Sequence, residues 1–336
     1  MSSSTIGKSL INKIKSSEQQ SLVIALFVLG VVISIISPVF LTAFNLTNVL
    51  RQSSLVAITG IGMAIIILTG EIDLSVGSSV AVVGVACVWV LNHTGSIFLA
   101  VLAGVLIGGF IGLINGLLVT KGQIASLIAT LGMLSILRGI AFITTKAVSF
   151  QVEIMEFSEL GSGFIGPVPV PVLIMIVLLI LFYYILNHTM YGRYIYAVGG
   201  NSSAAHLSGI PVIRIKIQTF VISGLLTGLT GCILASRMYS GQPNAGIGFE
   251  LEVVSAVILG GLSLNGGIGT LTGAFLGVLI LGVLQNGLTL MNVSSFYQEV
   301  ARGLVLILAV YLDGYRKRKL EKDLLKETDK IGECND

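Results

Sequence analysis

The sequence predicts an all-α polytopic membrane protein of about ten transmembrane helices. Three observations carry that prediction. Of 336 residues, 54% are hydrophobic and only 10% charged, and the mean hydropathy is +0.98; a soluble domain carries about 25% charged residues. Two runs, 74–120 and 253–298, contain no Asp, Glu, Lys or Arg, and each is long enough for two spans of about 20 residues. The basic residues are unevenly divided between alternate connections, as the positive-inside rule describes.

The elements follow in order. A polar, basic segment over 1–19 precedes the apolar stretch "SLVIALFVLGVVISIISPVFL". That stretch is longer than a signal-peptide core and shows no small-residue cleavage site, so it reads as an uncleaved first helix over about 20–42. A second helix runs over about 48–69. Helices three and four share 74–120, with "NHTG" at 92–95 as the turn. A fifth covers about 124–145. A sixth starts after "GPVPVP" and ends near 187, and a seventh spans about 216–236. Helices eight and nine share 253–298 around the Gly-rich "LNGGIG" at 264–269, and a tenth covers about 296–313. The resulting organisation is a cytoplasmic segment 1–19, a transmembrane domain 20–313 with a cytoplasmic loop at about 188–215, and a charged cytoplasmic tail 314–336.

With both termini cytoplasmic, the inner connections hold 14 of the 19 basic residues and the outer ones three: Arg51, Lys146 and Arg237. Arg138 and Arg302 fall within helices. The outer loop 147–166 carries Glu153, Glu156 and Glu159 and no basic residue.

The two halves share a pattern. "EIDLSVGSSVAVVG" from Glu71 pairs with "ELEVVSAVILGG" from Glu250. "INGLL" around Asn115 pairs with "QNGLT" around Asn286, and "LRGIAFI" at Arg138 with "ARGLVLI" at Arg302. The offsets fall smoothly, 179, 171 and 164. Halves of five helices would be related by an inverted repeat, as in many transporters; chance likeness of Gly-rich helices is the other reading. Asp73 and Glu252 are expected at the starts of helices three and eight, where carboxylates meet free N–H groups and the positive dipole end. Capping and a transport role are both open for them. The 41 glycines include small-xxx-small rows at 104–112, 223–231 and 273–282, which let helices approach closely.

Several chemistries have no residues to carry them. "GKS" at 7–9 lacks the glycine-rich loop of a phosphate site. His93, His188 and His206 are isolated, and Cys87, Cys232 and Cys334 lie far apart in sequence, so no metal or cofactor site and no disulfide framework is expected. No catalytic constellation appears, and no nucleic-acid partner is expected. No helix core holds an obvious carboxylate of the kind an ion-coupled carrier uses. A transporter of this composition therefore takes its energy from a partner.

The loop "GRYIYAVGGNSSAAHLSGIPVIRIK" at 192–216 suits such a partner. Asn201 or Ser202 can cap a short helix over "SSAAHLS", Gly209 can end it, and Pro211 prevents its continuation. A docking knob and an incidental turn in a basic loop are the two readings.

This loop resembles the cytoplasmic coupling segment of ABC-importer permeases of the monosaccharide family. "LTGEIDLSVGSS", "GFELEVVSAVILGGLSLNGGIGTLTGAFLG" and "LQNGLTLMNVSSFYQ" resemble it too, and the likeness runs over roughly 20–313, most of all to ribose permeases. The resemblance implies an ABC importer permease fold, a multi-pass protein of a bacterial plasma membrane. It implies a second permease subunit as a homodimer, a separate ABC ATPase subunit, and an extracytoplasmic sugar-binding protein. A neutral monosaccharide, ribose first, would be the cargo, with xylose, galactose or a sugar-like signalling molecule as alternatives. A self-sufficient secondary carrier is the reading from another class. Arg193, Gly199, Gly200, Asn201, Ala204, Ala205, Gly209 and Ile210 match the family's coupling pattern. Gly70, Asp73, Ser75, Gly77, Ser78, Asn115 and Asn286 are expected to line or gate the path, since a neutral sugar needs hydroxyl and amide partners. Arg51, Lys146 and Arg237 are expected to dock the binding protein's carboxylates.

Overall fold

The computed structural model of the protein describes residues 3–308, 310, 311 and 314, with side chains from residue 19 onward. The charged tail beyond 314 and the side chains of Lys8, Lys13 and Lys15 lie outside the described residues. Helix α1 (Ser3–Ile36) starts well before the expected position and stops earlier. Pro38 explains the stop, because the residue before a proline is driven out of helical geometry. Helix α2 (Ala43–Leu68) begins at Thr42, whose side chain accepts the Asn45 N–H. Helices α3 (Val76–Thr94) and α4 (Ile97–Thr120) form the expected hairpin. Gly95 closes α3 with a φ of 69°, and the Ser96 side chain caps α4. Helix α5 (Ser126–Thr145) follows.

A connection then carries β1 (Phe150–Gln151), a 3₁₀ turn (Met155–Ser158), the short α6 (Glu159–Ser162) and the hairpin β2 (Phe164–Ile165) and β3 (Val168–Pro169). Helix α7 (Val170–His188) leads into α8 (Met190–Gly200) and α9 (Ser202–Leu207). Helix α10 (Val212–Arg237) is followed by β4 (Ser240–Gly241), which pairs antiparallel with β1. Helices α11 (Phe249–Leu259) and α12 (Leu271–Leu290) come next, and residues 295–308 form a final helix, α13. Eight of these helices are long and apolar enough to span a membrane. Helix α11, at 11 residues, is about 16 Å long and reaches roughly halfway across the hydrocarbon.

Between apolar helices in lipid there is little hydrophobic drive, so association rests on close packing and hydrogen bonds. All three glycine rows serve this purpose. On α4, a methyl group at Gly108 would come 2.7 Å from the Gly228 Cα of α10, and one at Gly112 would meet the Phe220 and Val221 backbone. On α12, a methyl at Gly277 would lie 2.7 Å from the Gly260 nitrogen. Cys87 and Cys232 are buried as small packing residues between α3, α4 and α10. Helix α2 runs through the middle of the bundle, buried almost without interruption from Ser53 to Leu68. It meets α10 at a buried hydrogen bond in which Thr59 Oγ1 donates to Thr230 Oγ1 at 2.9 Å. Those two threonines are 171 positions apart, the offset that also relates Asn115 to Asn286.

Candidate functional site

The two acid-bearing stretches meet inside the bundle. Gly77, in the first turn of α3, lies directly against the Gly246 carbonyl and the Glu250 carboxylate, leaving no room for a side chain. Glu250 and Glu252 occupy the first turn of α11, as expected. Asp73 does not occupy the first turn of α3. It precedes Ser75, the N-cap, and its Oδ1 accepts the Ser75 N–H at 2.8 Å and hydroxyl at 2.6 Å. Asn115 of α4 donates to Ser75 Oγ at 2.8 Å and to both Asp73 oxygens at 3.3–3.4 Å. Asp73 is 3% exposed and Asn115 wholly buried. A buried carboxylate therefore lies among the packed helices, on the non-helical stretch before α3 rather than in a helix core. Its hydrogen bonds compensate the burial.

Among the other expected path residues, Ser78 is buried beside this knot with its hydroxyl unpaired. Gly70 turns the chain out of α2 with a φ of +80° and faces the Asn265 carbonyl. Asn286 is elsewhere: it exchanges two hydrogen bonds of 2.8–2.9 Å with Asn45 at the start of α2. Arg138 donates to the carbonyls of Pro243 and Ala245, holding the segment that leads into α11. Glu71 makes an ion pair with Lys216 at the start of α10. Arg302 of α13 pairs with Glu299 at 2.9 Å and stands 4.0 Å from Glu252. With its amide oriented to satisfy both neighbours, Gln285 donates to Glu252 at 3.1 Å and accepts from Arg302 at 3.2 Å. Glu252, Gln285 and Arg302 line a cleft between α11, α12 and α13.

The 188–215 loop is more structured than the sequence suggested. Asn201 caps α9 by accepting the Ala204 N–H at 2.9 Å, Ser208 closes the helix after Leu207, and Gly209 follows with a φ of +81°, as expected. Helix α8 before it was not anticipated. Its last turn is pressed into the protein: Gly199 abuts the Leu68 carbonyl at the end of α2 and the Gly267 nitrogen, and Gly267 in turn lies against Gly200. Gly267 N–H donates to the Leu68 carbonyl at 3.0 Å, and the Tyr196 hydroxyl donates to the Gly269 carbonyl at 3.1 Å. Ala205 is buried, while Arg193, Asn201, Ala204 and Gly209 are exposed and Ile210 is half-buried. Leu207 projects from α9 at 88% exposure. Burial pushes the Tyr196 hydroxyl above its ordinary pKa, so it remains a hydrogen-bond donor at neutral pH.

At the other end of the bundle, Arg51 donates to the Ser162 carbonyl at 3.3 Å and lies 4.9 Å over the Phe164 ring. Gly161 of the same connection packs on the Arg237 backbone, and Ser236 accepts the Gly161 N–H at 2.8 Å. Arg51 and Arg237 thus share one surface, while Lys146 stands exposed after α5 in left-handed geometry. Among the described residues, no group of three His, Cys, Asp or Glu side chains could hold a metal ion.

Residues 45–310 match the family model described as branched-chain amino acid transport system / permease component. The chain is 43% identical over 304 residues to the ribose import permease of Escherichia coli, covering 89% of this chain and 94% of that one. It is 42% identical over 292 residues to the ribose import permease of Bacillus subtilis, covering 86% and 91%. It is 42% identical over 301 residues to the L-arabinose ABC transporter permease of Azospirillum brasilense, covering 90% and 89%. No solved structure gives a significant match.

Proposed function

The chain belongs to the branched-chain amino acid transport system / permease component family, and on that premise we propose that it is the membrane subunit of an ATP-driven importer of a neutral pentose, ribose first. The names of the ribose and arabinose relatives support the sugar. The observation that carries the mechanism is the seating of α8 and α9. An ATPase subunit gripping exposed Leu207 and Arg193 would move α8. Because Gly199 and Gly200 touch backbone rather than side chains, α8 carries the end of α2 and the 263–269 turn with it. That turn follows α11, whose other end carries Glu250 against Gly77. Closure of the ATPase would thus shift the seam where the two acid-bearing stretches meet. The chain itself performs no chemistry on the sugar, and ATP hydrolysis belongs to the separate subunit.

In this reading both termini and α8–α9 face the cytoplasm of a bacterial cell, and two copies form the membrane unit. Arg51 and Arg237 receive an extracytoplasmic sugar-binding protein, with Lys146 flanking them. The test is uptake of labelled ribose, arabinose, xylose and galactose at low concentration, with and without the gene, and with Leu207→Glu. Loss of ribose uptake in the deletion and in the loop variant, with normal amounts of protein in the membrane, is expected. Uptake that needs the gene but tolerates Leu207→Glu would favour a carrier that works without an ATPase.

A further inference from the structure

The segment between β4 and α11 has no role in the coupling route, yet it runs deep into the protein without forming a helix. Gly241 packs on Val85 of α3, and Gly246 packs on Gly77. Val85 and Gly77 are about 12 Å apart along that helix, so residues 241–246 descend by that much beside it. Gly77 itself stands about 26 Å along the axis from Thr94, the last residue of α3. Beyond Gly248, α11 continues in the same direction toward the turn that touches α8. Residues 243–248 therefore stand near the middle of a bundle built to cross about 30 Å of hydrocarbon. Irregular backbone at that depth occurs only where protein buries it or where it lines a water-filled cavity. The chain does not bury it: Asn244 is exposed and Ile247 is 67% exposed.

The groups around the segment suit water and not lipid. Arg138 gives a single nitrogen, Nη1, to the Pro243 and Ala245 carbonyls at 2.8 and 2.7 Å. Its remaining donors make no hydrogen bond among the described residues, and neither does the Asn244 amide. Glu250 Oε2 is buried beside Gly77 without a hydrogen-bond partner. On the other side of the segment, a methyl group at Gly248 would come 3.4 Å from Arg302 Nη1 and 3.9 Å from Glu299 Oε2. Lipid chains could satisfy none of these donors and acceptors.

We infer that residues 243–248 form one wall of a water-filled route by which the sugar crosses the middle of the membrane, and that the Asn244 amide meets its hydroxyls there. An amide both donates and accepts, as a hydroxyl does, so one side chain serves a neutral cargo in either sense. Arg138 stands beside it with donors to spare, and Ile247 offers an apolar surface to the C–H face of a ring. The wall is an open surface of the chain, so the cargo needs no closed pocket to pass. The inference rests on the permease reading for the identity of the sugar.

The test places single thiols by Asn244→Cys and Ile247→Cys, with Phe110→Cys on the outward face of α4 as the lipid-facing reference; Phe110 is 62% exposed. Each chain also carries Cys334→Ser, and Cys87 and Cys232 are buried. A charged, membrane-impermeant thiol reagent is applied to intact cells and to inside-out membrane vesicles. Both segment thiols should be labelled from at least one face and the Phe110→Cys thiol from neither, and labelling of Ile247→Cys should slow ribose uptake several-fold. Asn244→Leu should lower ribose uptake about tenfold at an unchanged amount of protein in the membrane, the effect of losing one or two hydrogen bonds. Asn244→Gln should retain most of it, a rescue that a side chain with no part in transport would not need. Segment thiols silent from both faces would place the wall against lipid or in a dry contact with a second copy, and would overturn the inference. Labelling of Phe110→Cys at the same rate, or normal uptake by Asn244→Leu, would overturn it as well. Uptake in the gene deletion reports separately on the permease reading: uptake lost on deletion with silent segment thiols removes the wall's role and leaves the permease standing.

Discussion

Asp73 with Asn115 in the first half, and Glu252 with Gln285 and Asn286 in the second, stand at matching places in the sequence pattern the two halves share and are held in opposite ways. The first group is a sealed knot, with Asp73 bonded to Ser75 and Asn115 and almost nothing exposed. The second is open: Asn286 turns away to Asn45, and Gln285 spans a cleft between Glu252 and Arg302. The offset of 179 puts Val254 where the first half has Ser75. Ser75 supplies both the N–H and the hydroxyl that draw Asp73 inward; Val254 has no hydroxyl to give, and it is buried in apolar packing. The arginines diverge likewise, Arg138 toward backbone carbonyls and Arg302 toward carboxylates.

The comparison can be broken where the halves touch. Gly77→Ala would drive a methyl group into the Gly246 carbonyl and Glu250. A loss above about 4 kcal/mol is expected, seen as disappearance of the protein from membranes by immunoblotting. Asn115→Leu attacks the anchor alone by removing the amide that donates to buried Asp73. It should destabilise by about 1.5–3 kcal/mol, the range for hydrogen bonds to a charged group, read from thermal unfolding in detergent. Val254→Ser sharpens the comparison by giving the second half the missing hydroxyl. It should destabilise by about 1–3 kcal/mol, because a hydroxyl replaces two methyl groups in apolar packing, while leaving Glu252 in place, since side chains two apart on a helix do not face each other. Thr59→Val removes the single hydroxyl pair between α2 and α10. A loss of about 0.6 kcal/mol, the average for such bonds in membranes, should appear as a small drop in melting temperature with uptake retained.

Much of this was legible in the sequence. The charge-free runs gave the long helices, the glycine rows gave the expectation of close helix approach without saying which helices meet, and Asn201 with Gly209 gave α9. Those signals are local: composition, spacing and capping chemistry. What stayed hidden depended on distant partners. "MYGRYIYAVGG" is poor in strong helix formers, and α8 is held by packing of Gly199 on Leu68 and Gly267, which no local pattern reveals. Arg302 and Glu252 are 50 positions apart, so their cleft could be suspected only from the shared "RG" of the repeat. The position of Asp73 turned on one unassuming residue, Ser75, taking the cap itself.

The brevity of α11 bears on how the protein is made. A segment of 11 residues falls well short of the roughly 20 that the insertion machinery recognises as a span. The ribosome will already have delivered α2 and α3, on which it packs, before α11 emerges. It can therefore settle only as a late guest, inserted against finished neighbours and pinned when α12 follows. On this account the second half is assembled on the first as a template, and truncation just before α12 should leave residues 249–270 open to protease while the earlier helices stay protected.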